Sequence, residues 1–127
     1  MNLIDALEIL KAPIPNGAHT FGVFLATGFT PLHLKVFLEA ELRVSHPRNQ
    51  VGIDAGLFGD LIGNIERLDP SRIDALAVVV EWEDLDPRLG IRRLGGWRPA
   101  ILRDIVQSAE RSAERLQISQ AAATTFD

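Results

Sequence analysis

Phe21-Gly-Val-Phe-Leu-Ala-Thr-Gly-Phe-Thr-Pro31 sets the architecture of this chain. Its apolar run, Phe21 to Ala26, stops at Thr27-Gly28 and gives way to Thr30-Pro31 and an amphipathic segment. A short apolar run bounded by turn residues reads as a buried strand. Thr at an N-cap with Pro at the first helical position reads as a helix start. The stretch is therefore a strand-to-helix turn, the kind of place where open α/β sheets bind ligands.

Further βα units follow in register with this one. The first strand is predicted from about His19 to Ala26 and the first long helix from Pro31 to about Val44. In that helix Leu34, Val36, Phe37, Leu38 and Leu42 include i, i+3 and i+4 pairs, and Lys35, Glu39 and Arg43 mark a charged face. Ser45-His-Pro47 ends it, because the residue before a proline avoids the helical conformation. Asn49 to Ala55 reads as a second strand ending in Gly56-Leu-Phe-Gly59. Asp60 caps the next helix, with Leu61, Ile62, Ile65 and Leu68, closed by Asp69-Pro70. Ile73 to Trp82 holds Ala75-Leu-Ala-Val-Val-Val80, the strongest strand signal, and its continuous apolar run predicts burial on both faces. Val78, Val79 and Val80 should all be buried. A glycine-broken basic loop, Leu85 to Gly96, precedes a last helix from about Pro99 through Leu116. Residues 118–127 read as a frayed tail.

Upstream, Leu3 to Leu10 fits a short helix of about two turns, ended by Lys11-Ala-Pro-Ile-Pro-Asn-Gly17. That prefix, residues 1–18, is expected to pack on the sheet or on another subunit, with the α/β domain spanning 19–117. Right-handed crossovers place the first strand between the other two, order 2-1-3, in a three-layer, flavodoxin-like α/β sandwich with a short parallel sheet. Three strands leave an edge beside Ala75–Val80. The expectation is a homodimer or larger partner at that edge or at the terminal helices, or a chain that is one part of a larger, incomplete domain.

With 127 residues the chain holds one domain with a real core. A net charge of −4 without a Lys/Arg cluster argues against nucleic acid. The chain has no cysteine, hence no disulfide, thiol nucleophile or thiolate metal site. No apolar run approaches ~20 residues and the start lacks signal-peptide character, so a soluble, cytoplasmic protein away from membranes is expected. His19, His33 and His46 lack metal-ligand spacing. No phosphate loop, dinucleotide fingerprint or nucleophile elbow occurs, and no cofactor is expected.

The three strand ends should converge on one edge of the sheet as Thr27-Gly28-Phe29-Thr30, Gly56-Leu-Phe-Gly59-Asp60 and Glu83-Asp84, with Glu83-Asp84 beside Thr27-Gly28. These are the candidate ligand-binding residues, and Thr30 is the one candidate for catalysis. Thr30 either caps the helix or offers a hydroxyl beside free helix-start N–H groups. The glycines either serve tight turns or let a ligand approach. Glu81, Glu83 and Asp84 either form a solvated loop or raise one carboxyl pKa for acid–base work. Arg88, Arg92 and Arg93 either pair with acidic neighbours or bind an anion.

The order strand, Thr27-Gly-Phe-Thr30, helix, strand, Gly56-Leu-Phe-Gly59, helix, strand, Val80-Glu-Trp-Glu-Asp-Leu-Asp-Pro-Arg-Leu-Gly90 resembles an SGNH-hydrolase-like domain. The likeness covers residues 19–116. It is greatest to the variant at the N-terminus of HAD-type proteins of polyketide and surface-glycan biosynthesis. In SGNH esterases the first strand ends in Gly-Asp-Ser, the second and third loops supply a Gly and an Asn to the oxyanion, and a late Asp-x-x-His completes the triad. Here Thr27-Gly28-Phe29-Thr30 stands at the serine turn, Gly56 or Gly59 in the second loop and Glu83-Asp84 in the third. Neither the nucleophilic Ser nor any Asp-x-x-His is present, and acidic residues at the third loop repel an oxyanion. The resemblance thus implies a non-catalytic recognition domain for a small acyl or glycosyl group or a biosynthetic partner protein. The competing expectation is an ester hydrolase or acyltransferase using Thr30, completed by missing sequence or a second subunit.

Overall fold

The computed structural model of this chain describes residues 1–90 and 98–124. Three parallel strands, β1 (His19–Thr27), β2 (Asn49–Ala55) and β3 (Ala75–Val79), form one sheet in the order β2-β1-β3. β1 pairs with β2 from His19↔Asn49 to Leu25↔Ala55, and with β3 from Val23↔Ala75 to Thr27↔Val79. Only Val23 to Leu25 of β1 therefore pair with a strand on each side. Leu25, and Ala26 after it, are wholly buried.

Helices cover both faces, giving the expected three layers. On one face Val23, Leu25, Val51 and Ile53 pack with Leu34, Leu38 and Leu42 of α2 (Leu32–Ser45). On the other, Ala26 meets Leu61 and Ile65 of α3 (Leu61–Glu66) and Leu116 and Ala123 of a long C-terminal helix, α5 (Leu102–Thr124). Successive residues of β3 serve opposite faces, as the pleat requires: Leu76 and Val78 join the second cluster, Ala75, Ala77 and Val79 the first.

The N-terminal helix α1 (Leu3–Lys11) begins with a capping box. Asp5 N–H donates to Asn2 Oδ1 and Asn2 N–H to Asp5 Oδ2, both at 3.0 Å. It packs on α2 rather than on the sheet, and Arg43 Nη1 donates to the Leu10 carbonyl at 3.0 Å. Ala6, fully buried, has the small side chain that a close helix pair needs.

Five expectations are corrected. β3 is five residues long and does not run from Ile73 to Trp82. Val78 and Val79 are half-buried and Val80 is exposed. Both faces of β3 are covered, as its apolar run implied, but the strand lies at the sheet's edge with β1 as its partner among the described residues. After Val80 the chain turns into a one-turn helix, α4 (Trp82–Leu85), so the acidic segment is helical. Thr30 does not cap α2: Pro31 occupies the N-cap position and no side chain bonds the helix start. Residues 118–124 are helical rather than frayed. Leu116, Ser119 and Ala123 are buried at i, i+3 and i+7, continuing the stripe with small residues, while residues 125–127 lie outside those described. Among the described residues no helix is long and apolar enough to cross a membrane.

Candidate functional site

All strands being parallel, the loops that follow them meet at one edge of the sheet. Between them lies a cleft of about 920 Å³. Its floor is Gly28 and Phe29 from the end of β1, with Phe58 and Gly59 from the loop after β2. Its far wall is the segment from Val80 through α4, continued by Pro87, Leu89 and Gly90.

Each loop is fixed to its neighbour. Gly59 N–H donates to the Gly28 carbonyl at 2.8 Å, and Gly59 takes φ 75°, a left-handed conformation that suits glycine and leaves Phe58 outermost in its turn. The same loop is closed from behind by Asn64, which is buried. Its Oδ1 accepts from Leu57 N–H and its Nδ2 donates to the Leu57 carbonyl, each at 2.8 Å. Gly56 lies flat against the Asn64 side chain, where a Cβ would fall 2.8 Å from the Asn64 Cβ.

The third loop is held by Asp84. Its Oδ2 accepts from Glu81 N–H at 2.8 Å while Asp84 N–H donates to the Glu81 carbonyl at 3.0 Å, closing the single turn of α4. The same carboxylate sits directly over Gly28, so close that a Cβ there would overlap Oδ1 and lie 2.8 Å from Cγ. Gly28 and Asp84 thus join the first and third loops, as the sequence reading placed them.

Beyond α4 the wall is braced by an ion pair between buried Asp86 and half-buried Arg88. Asp86 Oδ1 accepts from the backbone N–H and Nε of Arg88, and Oδ2 from Nη2, at 2.8–2.9 Å, while Arg88 Nη1 donates to Asp104 Oδ2 of α5 at 2.6 Å. The Arg88 hydrogen bonds hold the Asp86 carboxyl far below the usual carboxylate range, with Ser108 adding a further bond, and the two carboxylates raise Arg88 in turn. Arg88 is therefore a brace; Arg92 and Arg93 lie outside the described residues.

Of the nine residues singled out from the sequence, Gly28, Phe29, Gly59, Glu83 and Asp84 line the cleft. Thr27 lies beneath it, 2% exposed, its hydroxyl donating to the Phe29 carbonyl at 2.6 Å. Thr30 is exposed and outside the lining. Gly56 borders a neighbouring hollow with Asn64 and Arg67. Asp60 caps α3 through Gly63 N–H at 3.1 Å and pairs with Arg67 at 2.8 Å; these partners lower its pKa, the Arg67 bond most. Among the histidines, His46 stacks on Phe21 with ring centroids 5.3 Å apart. No group of three or more His, Asp or Glu among the described residues is arranged for a metal ion.

The sequence reading missed the apolar walls. Phe58 is 76% and Trp82 70% exposed, values that a reading which sends large apolar residues to the core does not anticipate. The available signals were Gly59 after Phe58, and Trp82 set between Glu81 and Glu83. No family model, curated protein or solved structure matches this chain.

Proposed function

We propose that this chain is a non-catalytic recognition domain of SGNH-like type, serving a biosynthetic enzyme by holding a small glycosyl or acyl group in the cleft. One observation carries the reading: the side chains that line the cleft are aromatic, aliphatic or acidic, and none among the described residues is a hydroxyl, imidazole or amine. The Thr27 hydroxyl is buried and spent on the Phe29 carbonyl. Aromatic faces and carboxylates are what a sugar ring needs, the first for its C–H faces and the second for its hydroxyls. Acyl transfer needs a nucleophile within hydrogen-bond reach of a base, and carboxylates lining the cleft would repel the negative charge that such a reaction develops.

The competing reading, an ester hydrolase acting through Thr30, is separated by a screen of short-chain aryl esters beside a sugar-binding titration. The expected result is saturable binding without turnover. Ester turnover abolished by Thr30→Ala, in a variant that melts like the wild type, overturns the proposal.

A further inference from the structure

We propose that Asn16 is a site of spontaneous modification, converting to aspartate and isoaspartate through a cyclic imide formed with Gly17. The site lies on the linker between α1 and β1, outside the cleft lining, and is independent of what the cleft holds. Asn16 is the one of the four asparagines that glycine follows. Both residues are exposed, in a turn closed by Ala18 N–H donating to the Pro15 carbonyl at 3.2 Å. Gly17 takes φ 74°, as the third residue of a type II turn does. A Cβ built there would meet no atom within 4 Å, so nothing crowds the peptide nitrogen. Neither the Asn16 carboxamide nor Gly17 N–H is hydrogen-bonded among the described residues. The turn must open for that nitrogen to reach the carboxamide, and the bond it gives up is a single one at the surface.

The other three asparagines are held. Asn2 caps α1 with its Oδ1 on Asp5 N–H, Asn49 opens β2, and Asn64 has both side-chain polar atoms on Leu57. Each precedes a residue whose side chain crowds the nitrogen that would attack. At Asn16 the deprotonated Gly17 nitrogen attacks Cγ, so the rate rises with pH. The N–Cγ bond forms as the Cγ–Nδ2 bond breaks, and the side-chain amine leaves as ammonia with the proton that Gly17 gave up. Water then adds to the five-membered imide. Cleavage of the new N–Cγ bond leaves aspartate; cleavage of the original peptide bond leaves isoaspartate, with the main chain now running through the Asn16 side chain. Either product adds a negative charge to the linker, and isoaspartate lengthens it by one backbone carbon. The aged chain is therefore a mixture of charge and linkage variants.

The full chain is aged in mildly acidic and mildly alkaline buffer, beside a sample unfolded in guanidinium, and its tryptic peptides are weighed. Peptide 12–35 holds Asn16 and no other asparagine. In the folded sample it should gain the mass of an amide exchanged for an acid, faster at the higher pH. It should also split into two products, one of them a substrate for an isoaspartyl methyltransferase. Peptides carrying Asn2, Asn49 and Asn64 should keep their mass. Gly17→Ala, which sets a methyl group beside the attacking nitrogen, should all but stop the gain. Asn16→Gln, which must close a larger ring, serves the same arm if Gly17→Ala does not fold. A peptide 12–35 that keeps its mass in the folded sample while converting in guanidinium means that the turn protects Asn16, and overturns the proposal. Conversion at an unchanged rate in either variant, or equal conversion at the other asparagines, overturns it as well.

Discussion

Gly28→Ala should destabilise this protein for a reason that a second substitution removes. Gly28 does not have positive φ, so alanine fits its backbone. On backbone grounds alone the change should stabilise by about 0.4–1 kcal/mol through the unfolded chain. What opposes it is the Asp84 carboxylate, which occupies the space of the new methyl group. Moving that carboxylate breaks the Glu81 N–H bond to Oδ2, worth about 1 kcal/mol, and forces local repacking that costs about 1–3 kcal/mol. The net expectation is a loss of about 1–3 kcal/mol, or several degrees in melting temperature for a domain of this size. Asp84→Ala alone should cost about 1 kcal/mol. In the Asp84→Ala background, however, Gly28→Ala should become neutral or stabilising. Urea unfolding of the four proteins, with constant m-values, measures the coupling directly. Costs that simply add would show that Asp84 does not sit on Gly28, and the bridge between the first and third loops would fall with them.

Asp86→Asn should cost about 2–3 kcal/mol; the Arg88 head group is half-buried and keeps Asp104, so the loss stays below that of a fully buried pair. Because the Asp86 carboxyl is depressed in the fold, its contribution is complete above the unfolded value of about 4 and is lost as pH falls through the lower folded value. The gap between wild type and Asp86→Asn in urea midpoint should therefore be flat near neutrality and close only in strong acid; a gap that does not vary with pH refutes the assignment. Ala123→Asp places a carboxylate beside Ala26, Leu61, Ile65 and Leu116 and should cost about 3 kcal/mol, whereas Ala122→Asp on the exposed side should stay within about 0.5 kcal/mol. Equal effects in thermal melts would mean that the last turns of α5 do not pack.

The sheet was legible because its signals are local. Phe21 to Ala26 is apolar and ends at a turn, and Val51 and Ile53 alternate with exposed neighbours, so β1 and β2 fall where their residues place them. The order β2-β1-β3 then follows from the connections. The end of β3 was not legible, because Glu81 to Asp84 turns helical through a bond between Asp84 and its own N-cap backbone. The tail misled through size: Ser119 and Ala123 are buried but small, and a pattern sought in large side chains stops at Leu116. Thr30-Pro31 looked like a cap and first helical residue, but the proline itself takes the cap position, leaving the Thr30 side chain without that role. At the cleft the carboxylates and glycines could be named from sequence. Phe58 and Trp82 were not, since nothing in their own identity says that they stay in water and the only signal lies in their neighbours, Gly59 and the flanking acids.

The central place of β1 also orders the assembly of the sheet. Its contacts with β2 join residues 30 positions apart, such as His19 and Asn49, whereas those with β3 join residues 52 apart, such as Val23 and Ala75. Closing the longer loop costs about 0.5 kcal/mol more in chain entropy, and the shorter β3 offers five paired positions in return against seven for β2. The segment from β1 through β2 is thus the natural nucleus, formed before β3 docks. The cleft, which needs the chain beyond β3 for its far wall, can be completed only after β3 has docked.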